Sequence, residues 1–346
     1  MSRTNLVIGS RASPLAVAQA EEVRGLLTGH DNTLHVSLLK LDTVGDRNLN
    51  VSLAELSRLE SQTDTPPAAA APSGHLVPPK PAGEKDLWTR ELDAALHRGD
   101  AHVLVHSLKD LPTTGRTGAL AYPIPHSTML AITGTLVTVA AAAAAAAAAP
   151  FTLAAVPQRF DPYDALVLRA DAPPPAGLPA AALVPADPNA VDDPQTQYAG
   201  VKIDLREVLP RGSVIGTSSL RRAAQLSHRY GDHFTFKVVR GNIATRLGKL
   251  DAPSGGYDAL ILAAAGLRRL GPDFASRISV RLRDERYAVG QGALGVEVAA
   301  TDGSALALVQ VACEDAGSRW RVEAERYVTI PRAHVHASGL ARHLLF

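Results

Sequence analysis

Arginine recurs in this sequence where an apolar run gives way to small and polar residues. In Gly216-Thr217-Ser218-Ser219-Leu220-Arg221-Arg222 the pattern of a strand ends, hydroxyls offer helix N-caps, and two arginines fall in the first turn of the helix that follows. That turn ordinarily favours acids, because the helix dipole and its free backbone N–H groups prefer negative charge. Two cations placed there call for an anion from outside, which the N–H groups would help to hold. Arg240-Gly241-Asn242-Ile243-Ala244-Thr245-Arg246 repeats the arrangement, Ser10-Arg11-Ala12-Ser13 does so near the N-terminus, and Arg268-Arg269 follows another apolar run. A guanidinium fork grips carboxylate or phosphate through two parallel hydrogen bonds, so a cleft with several arginines suits a polyanionic ligand.

Lys109-Asp110 differs in kind. A carboxylate among so many cations is wasted on anion binding and would repel the ligand. Asp110 is therefore the candidate for stabilising a cationic intermediate or moving a proton, the alternative being a helix-capping acid beside Pro112.

These residues need a scaffold that gathers strand ends. Five apolar runs supply it: Leu6-Val7-Ile8-Gly9, Val103-Leu104-Val105, Val214-Ile215-Gly216, Phe236-Lys237-Val238-Val239 and Ala259-Leu260-Ile261-Leu262. Each leads into small or polar residues and then helical periodicity, which predicts a doubly wound α/β architecture with parallel strands. In open α/β sheets ligands lie outside the carboxyl ends of the strands, where the arginines fall. Residues 63–83, the alanine run 140–149 and residues 172–200 read as surface loops grown by insertion, since closure entropy rises only logarithmically with loop length.

Six ordered segments resemble signatures of the hydroxymethylbilane synthase (porphobilinogen deaminase) family. They are Ser10 to Ala16, Asp42-Thr43-Val44-Gly45-Asp46, His106-Ser107-Leu108-Lys109-Asp110-Leu111-Pro112-Thr113, Gly216 to Arg222, Arg240 to Asp251 and Val289-Gly290-Gln291-Gly292-Ala293-Leu294. The resemblance implies an α/β fold of two periplasmic-binding-protein-like lobes with mixed, mainly parallel sheets. Lobe 1 would span 1–125 plus 280–299, lobe 2 residues 126–279, and a small, truncated α+β domain residues 300–346. It implies a transferase that deaminates four porphobilinogen units and joins them head to tail, on a covalently held dipyrromethane, into linear hydroxymethylbilane. Each pyrrole carries an acetate and a propionate, which would account for the arginines. Loss of the amine leaves a cationic azafulvene, which would account for Asp110. Carried over by position, Asp110 resembles the catalytic carboxylate, and Arg11, Lys109, Arg221, Arg222, Arg240, Arg246 and Arg269 resemble the carboxylate-binding set. Ser13, Ser107, Thr217, Ser218, Ser219, Asn242 and Gln291 resemble polar contacts to the dipyrromethane. The insertion at 63–83 falls where the family has a mobile loop.

The C-terminal end departs from that pattern. The family continues from an Ala-Glu-Arg helix to a Gly-Gly-Cys turn whose thiolate carries the dipyrromethane, but here Ala324-Glu325-Arg326 is followed by no cysteine. Cys313 lies upstream and reads as a small buried hydrophobe, so no anchor is found and impaired turnover is expected. A non-catalytic, two-lobed polycarboxylate-binding protein is the rival reading, and Asp110 argues against it.

Other patterns argue for less. Gly290-Gln291-Gly292-Ala293-Leu294-Gly295 is a literal dinucleotide fingerprint with Asp315 downstream, yet Val296-Glu297-Val298 alternates like a strand where a helix is needed. His334, His336 and His343 lack acidic or thiol partners, so no metal is expected. The charge-free stretch 127–158 contains an unbroken run of ten alanines and reads as low complexity in preference to a membrane span. Thirty-five Lys and Arg balance thirty-four Asp and Glu, so no global field recommends nucleic acid or an anionic membrane. One cysteine and no recognisable secretory signal lead to the expectation of a cytoplasmic, monomeric protein.

Overall fold

The computed structural model describes residues 4–43, 89–111, 150–173 and 203–329. Two five-stranded sheets carry them. The first contains β1 (Asn5–Arg11), β2 (His35–Leu41), β3 (Val103–Ser107), β4 (Phe151–Ala155) and β10 (Leu294–Ala299) in the order β2-β1-β3-β10-β4. The second contains β5 (Asp164–Leu168), β6 (Val214–Gly216), β7 (Thr235–Lys237), β8 (Ala259–Ala263) and β9 (Val280–Leu282) in the order β7-β6-β8-β5-β9. In each sheet four strands run in one direction and one, β10 in the first and β5 in the second, runs antiparallel between two of them. The fold is thus two-lobed α/β with mixed sheets, as expected, although parallel and antiparallel pairings are evenly matched.

The lobes share a packing device. Gly9 of β1 stands beside Leu104 of β3, and Gly216 of β6 stands beside Leu260 of β8. A Cβ on Gly9 would lie 2.8 Å from Leu104 Cδ2, and one on Gly216 would collide with Leu260 and Tyr257. Both glycines make room for a buried leucine on the neighbouring strand.

Local signals set the helices that lead from the strand ends. Pro14 opens α1 (Pro14–His30), where its missing N–H costs nothing, and α2 (Arg90–Arg98) stops at Gly99 with φ 79°. Short α3 (Leu205–Val208) precedes β6, and α4 (Leu220–Tyr230) is capped by Ser219, which accepts the Arg222 N–H. In α5 (Ile243–Asp251) the cap is Asn242, which accepts the Thr245 N–H. Helices α6 (Ala264–Arg269) and α7 (Pro272–Ala275) follow β8.

The lobe limits differ from those expected at 125/126 and 279/280. β4 pairs with β10 in the first sheet, and β9 pairs with β5 in the second, so residues 151–155 and 280–282 change sides. Both strands dock against partners across a crossover, a pairing that no local pattern encodes. Helices α8 (Gly303–Cys313) and α9 (Ala316–Thr329) were expected in a separate unit, but both pack on the first sheet. Ala305, Val309 and Cys313 join Leu6, Ile8, Val23 and Val296 in one core, while Val322 joins Leu108, Leu111 and Leu153 on the other face. Each helix has an apolar stripe, and the sheet's two faces bury them. Residues 330–346, with His334, His336 and His343, lie outside the described residues, as do the insertion at 63–83, the alanine run and most of 172–200. No helix of the described residues is long and apolar enough to cross a membrane.

The chain crosses between the sheets at 156–163 and again at 283–293, and the two crossovers touch. Phe160 donates its N–H to Gly292 O at 3.3 Å, and Arg159 Nε donates to Gln291 O at 2.9 Å. Glu325 of α9 clamps them, pairing with Arg159 at 2.6 Å and accepting the Gly290 N–H at 2.9 Å. Gly292 has φ 85°, and a Cβ there would lie 2.7 Å from Phe160 O and 2.8 Å from Asp161 O. The glycine pair is therefore a requirement of the hinge, and the strand β10 that follows removes the dinucleotide reading. Gly292→Ala should lower the unfolding free energy in urea titration by about 2–4 kcal/mol, combining left-handed strain with the clash. Gly212→Ala, also at positive φ but with open space around it, should lose only about 1–2 kcal/mol.

Candidate functional site

Lys109 and Asp110 stand on a single 3-10 turn, Leu108–Asp110, that continues β3 beyond the carboxyl edge of the first sheet. Gly290 fixes this turn from the crossover side, since a Cβ there would come within 3.3 Å of Leu108 Cγ and Lys109 N. Ser107, just before it, exchanges hydrogen bonds with Gln19 of α1, whose Nε2 donates to Ser107 Oγ at 2.8 Å. The acid is therefore presented by a turn held from two directions.

The second lobe brings cations to meet it. Burial pushes the Lys109 ammonium below its ordinary value, with Arg222 and Arg246 acting in the same direction while Asp110 and Asp164 oppose them. Arg246 is pushed down to about 10, first by burial and then by Arg222 and Arg240, with Asp110 opposing. These mutual perturbations place Lys109, Asp110, Arg222, Arg240 and Arg246, from three strand ends and both lobes, around one space. Among the described residues Asp110 has no hydrogen-bond or ion-pair partner.

Asp164, at the start of β5, is the residue that sequence reasoning missed. Its side chain is 2% exposed and accepts from Arg222 Nη2 at 2.7 Å, Arg222 Nε at 3.0 Å, Arg221 Nη2 at 2.8 Å and Gln291 Nε2 at 2.8 Å. Burial works against its charge, but the two guanidinium groups outweigh burial and hold the carboxyl below its ordinary value. Arg222 spends its remaining edge on Ile261 O at 2.9 Å, so its fork is committed to the fold. The signal available was a lone acid opening the apolar run Asp164-Ala165-Leu166-Val167-Leu168.

The hydroxyl residues have local tasks. Thr217 Oγ1 accepts the Ser219 N–H at 3.1 Å, and Ser218 Oγ donates to Val239 O, tying the β6 loop to the β7 loop. Asn242 Oδ1 accepts from Thr245 N and Oγ1, and Arg246 Nε donates to Gly241 O at 2.7 Å, leaving both terminal guanidinium nitrogens of Arg246 without a hydrogen-bond partner among the described residues. Ser13 makes no side-chain cap bond at the start of α1, and Arg11 is half-buried at the neighbouring end of β1.

One expected position lies elsewhere. Arg269 turns from the cluster to Glu22 of α1, at 2.8 Å, and its side chain is 3% exposed. A cation at a helix end found an acid on the adjoining lobe, which sequence spacing could not show. Cys313 sits in the first core, and burial pushes its thiol up to about 12, leaving almost no thiolate at neutral pH. Among the described residues no group of three or more His, Cys, Asp or Glu could hold a metal ion.

Comparison with known proteins agrees with this geometry. The family model described as porphobilinogen deaminase, dipyrromethane cofactor binding domain, matches residues 6–65, 75–129 and 142–307. The porphobilinogen deaminase of Gloeobacter violaceus is 35% identical over 328 residues, covering 94% of this chain and 72% of that protein. That of Prochlorococcus marinus is 34% identical over 94% of this chain and 74% of its own, and that of Schizosaccharomyces pombe is 34% identical over 87% and 64%. With its family model matched across most of its length and its cations gathered around one acid, the chain belongs to the porphobilinogen deaminase family of transferases.

Proposed function

We propose that this chain binds porphobilinogen between its lobes and that Asp110 stabilises the cation formed when the substrate loses ammonia, as the first step toward linear hydroxymethylbilane. The observation that carries the reading is the Asp110 carboxylate, without an ion-pair partner among the described residues, set against Lys109 and Arg246. Lys109, Arg240 and Arg246 take the acetate and propionate, with Arg11 at the neighbouring strand end. Arg221, Arg222 and Gln291 act through Asp164, which neutralises part of the positive charge and leaves the rest aimed at the cleft. Once the carboxylates are held, protonated amine departs as ammonia, and the ring nitrogen's lone pair leaves a delocalised positive charge on the pyrrole. A fixed carboxylate beside that charge lowers the barrier without reorganising, because the turn already holds it.

The cation cluster also fits the carboxylates of dipyrromethane, which when bound supplies a free pyrrole carbon for chain growth. The covalent anchor does not fit. Cys313 is the single cysteine of the 346 residues, and it is buried with its thiol held neutral. We therefore infer that these residues retain substrate recognition and are impaired in retaining a growing chain. The same observation favours a second reading, a carboxylate-binding module without turnover, in a reducing compartment that suits an unpaired cysteine.

Calorimetry with porphobilinogen, ammonia release, and uroporphyrin fluorescence after cyclisation and oxidation separate these readings. Binding is expected, and Asp110→Asn should preserve it while cutting ammonia release by roughly 10²–10⁴-fold. Binding without any ammonia release, tightened by Asp110→Asn, would establish the module, and absence of binding would refute both. Affinity should fall as pH rises toward about 10, where Arg246 loses charge while an ordinary guanidinium keeps it, and Lys109, also pushed down by burial, loses its charge below the ordinary lysine range. Arg246→Gln should weaken binding and flatten that limb. Asp164→Asn should instead lower stability by about 3–5 kcal/mol in urea titration, because it strands buried cations. The stability that Asp164 supplies is present above the ordinary carboxylate range and lost as pH falls through its depressed folded value, so the variant should lose this acid-side dependence.

A further inference from the structure

Arg269 is held by three neighbours. Its Nε and Nη2 donate to Glu22 at 2.8 and 3.4 Å, Nη1 donates to Gly292 O at 3.0 Å, and the guanidinium lies 4.3 Å over the Phe160 ring. Glu22 belongs to α1 of the first lobe, Arg269 ends α6 of the second, and Phe160 and Gly292 belong one to each crossover. The two helices run close together here. A Cβ on Gly266 of α6 would lie 3.5 Å from Leu15 Cδ2 of α1 and 3.0 Å from Ile243 Cδ1.

We propose that Glu22 is a positioning residue which, by holding Arg269 across both crossovers, sets the angle between the lobes. The Glu325 clamp ties the crossovers to each other and to α9, on the first lobe's side, whereas the Glu22–Arg269 pair joins a helix of one lobe to a helix of the other. A buried guanidinium without its counter-ion is costly, so any rotation that parts α1 from α6 must break a charge-assisted pair in a dry environment. That angle fixes how far Asp110 on the first lobe stands from Arg240 and Arg246 on the second. The consequence for binding rests on the cleft reading given above, whereas the clamp itself does not.

The test is hydrogen exchange of the ligand-free protein, with Glu22→Gln and Glu22→Asp compared with the native chain. Glu22→Gln should speed exchange of amides in 156–163 and 283–293 by about tenfold, the value of one charge-assisted hydrogen bond. Amides of β1, β3 and β8 should keep their rates, and Glu22→Asp should recover at least half of the protection. Porphobilinogen affinity should fall severalfold in Glu22→Gln. If that variant does not fold, Glu22→Gln combined with Arg269→Met removes both charges and must still show fast crossover exchange. Native rates in the crossovers of a folded variant would overturn the clamp. A native protein that binds no porphobilinogen would overturn the cleft reading alone, because exchange is measured without ligand.

Discussion

Crowded positive charge is the constraint around which this molecule is built. Two guanidinium groups about 6 Å apart in a medium of effective dielectric near 20 repel by about 3 kcal/mol. Lys109, Arg222 and Arg246 perturb one another, as do Arg240 and Arg246, and burial first and then these neighbouring cations depress the Lys109 and Arg246 values. Asp164 makes the arrangement tolerable. It is buried at the base of the cluster, takes Arg221 and Arg222 as its own partners, and draws Gln291 in from the crossover. Arg222 is thereby turned into structure, and the cations left over face the cleft.

The division between paired and unpaired acids carries the chemistry. Asp164 is saturated with donors and so cannot answer a charge that appears during reaction. Asp110 has no such partners among the described residues, although it stands in the same field. A carboxylate whose neighbours are cations, but whose oxygens are uncommitted, is prepared for a positive charge brought by a ligand. Its support comes from packing: Gly290 admits the turn, and Gln19 secures Ser107 ahead of it.

The same economy of charge governs the joint between the lobes. Arg159 meets Glu325, Arg281 meets Asp161, and Arg269 meets Glu22, each pair largely buried beside a crossover. Helix α9 enters this network through Glu325 and through Arg319, which donates to Leu153 O and Ala154 O and pairs with Glu314. The final described helices therefore brace the hinge of the first lobe.

Much of this was legible in the chain. The apolar runs that became β1, β3, β6, β7 and β8, the capping residues Ser219 and Asn242, and the contrast between one acid and many cations are local features, set by periodicity and charge within a few residues. β4, β5 and β9 were not legible, because short apolar segments take their meaning from partners roughly ninety to a hundred and fifty residues away. Sequence by itself determined the elements and the kind of ligand they could hold, since propensity and charge type are properties of single residues and their neighbours. Tertiary structure alone decided that Arg269 would face Glu22, that Arg222 would be spent on Asp164, and that Cys313 would be sealed in a core. Pairing energy depends on distance and burial, and neither exists until the chain has folded.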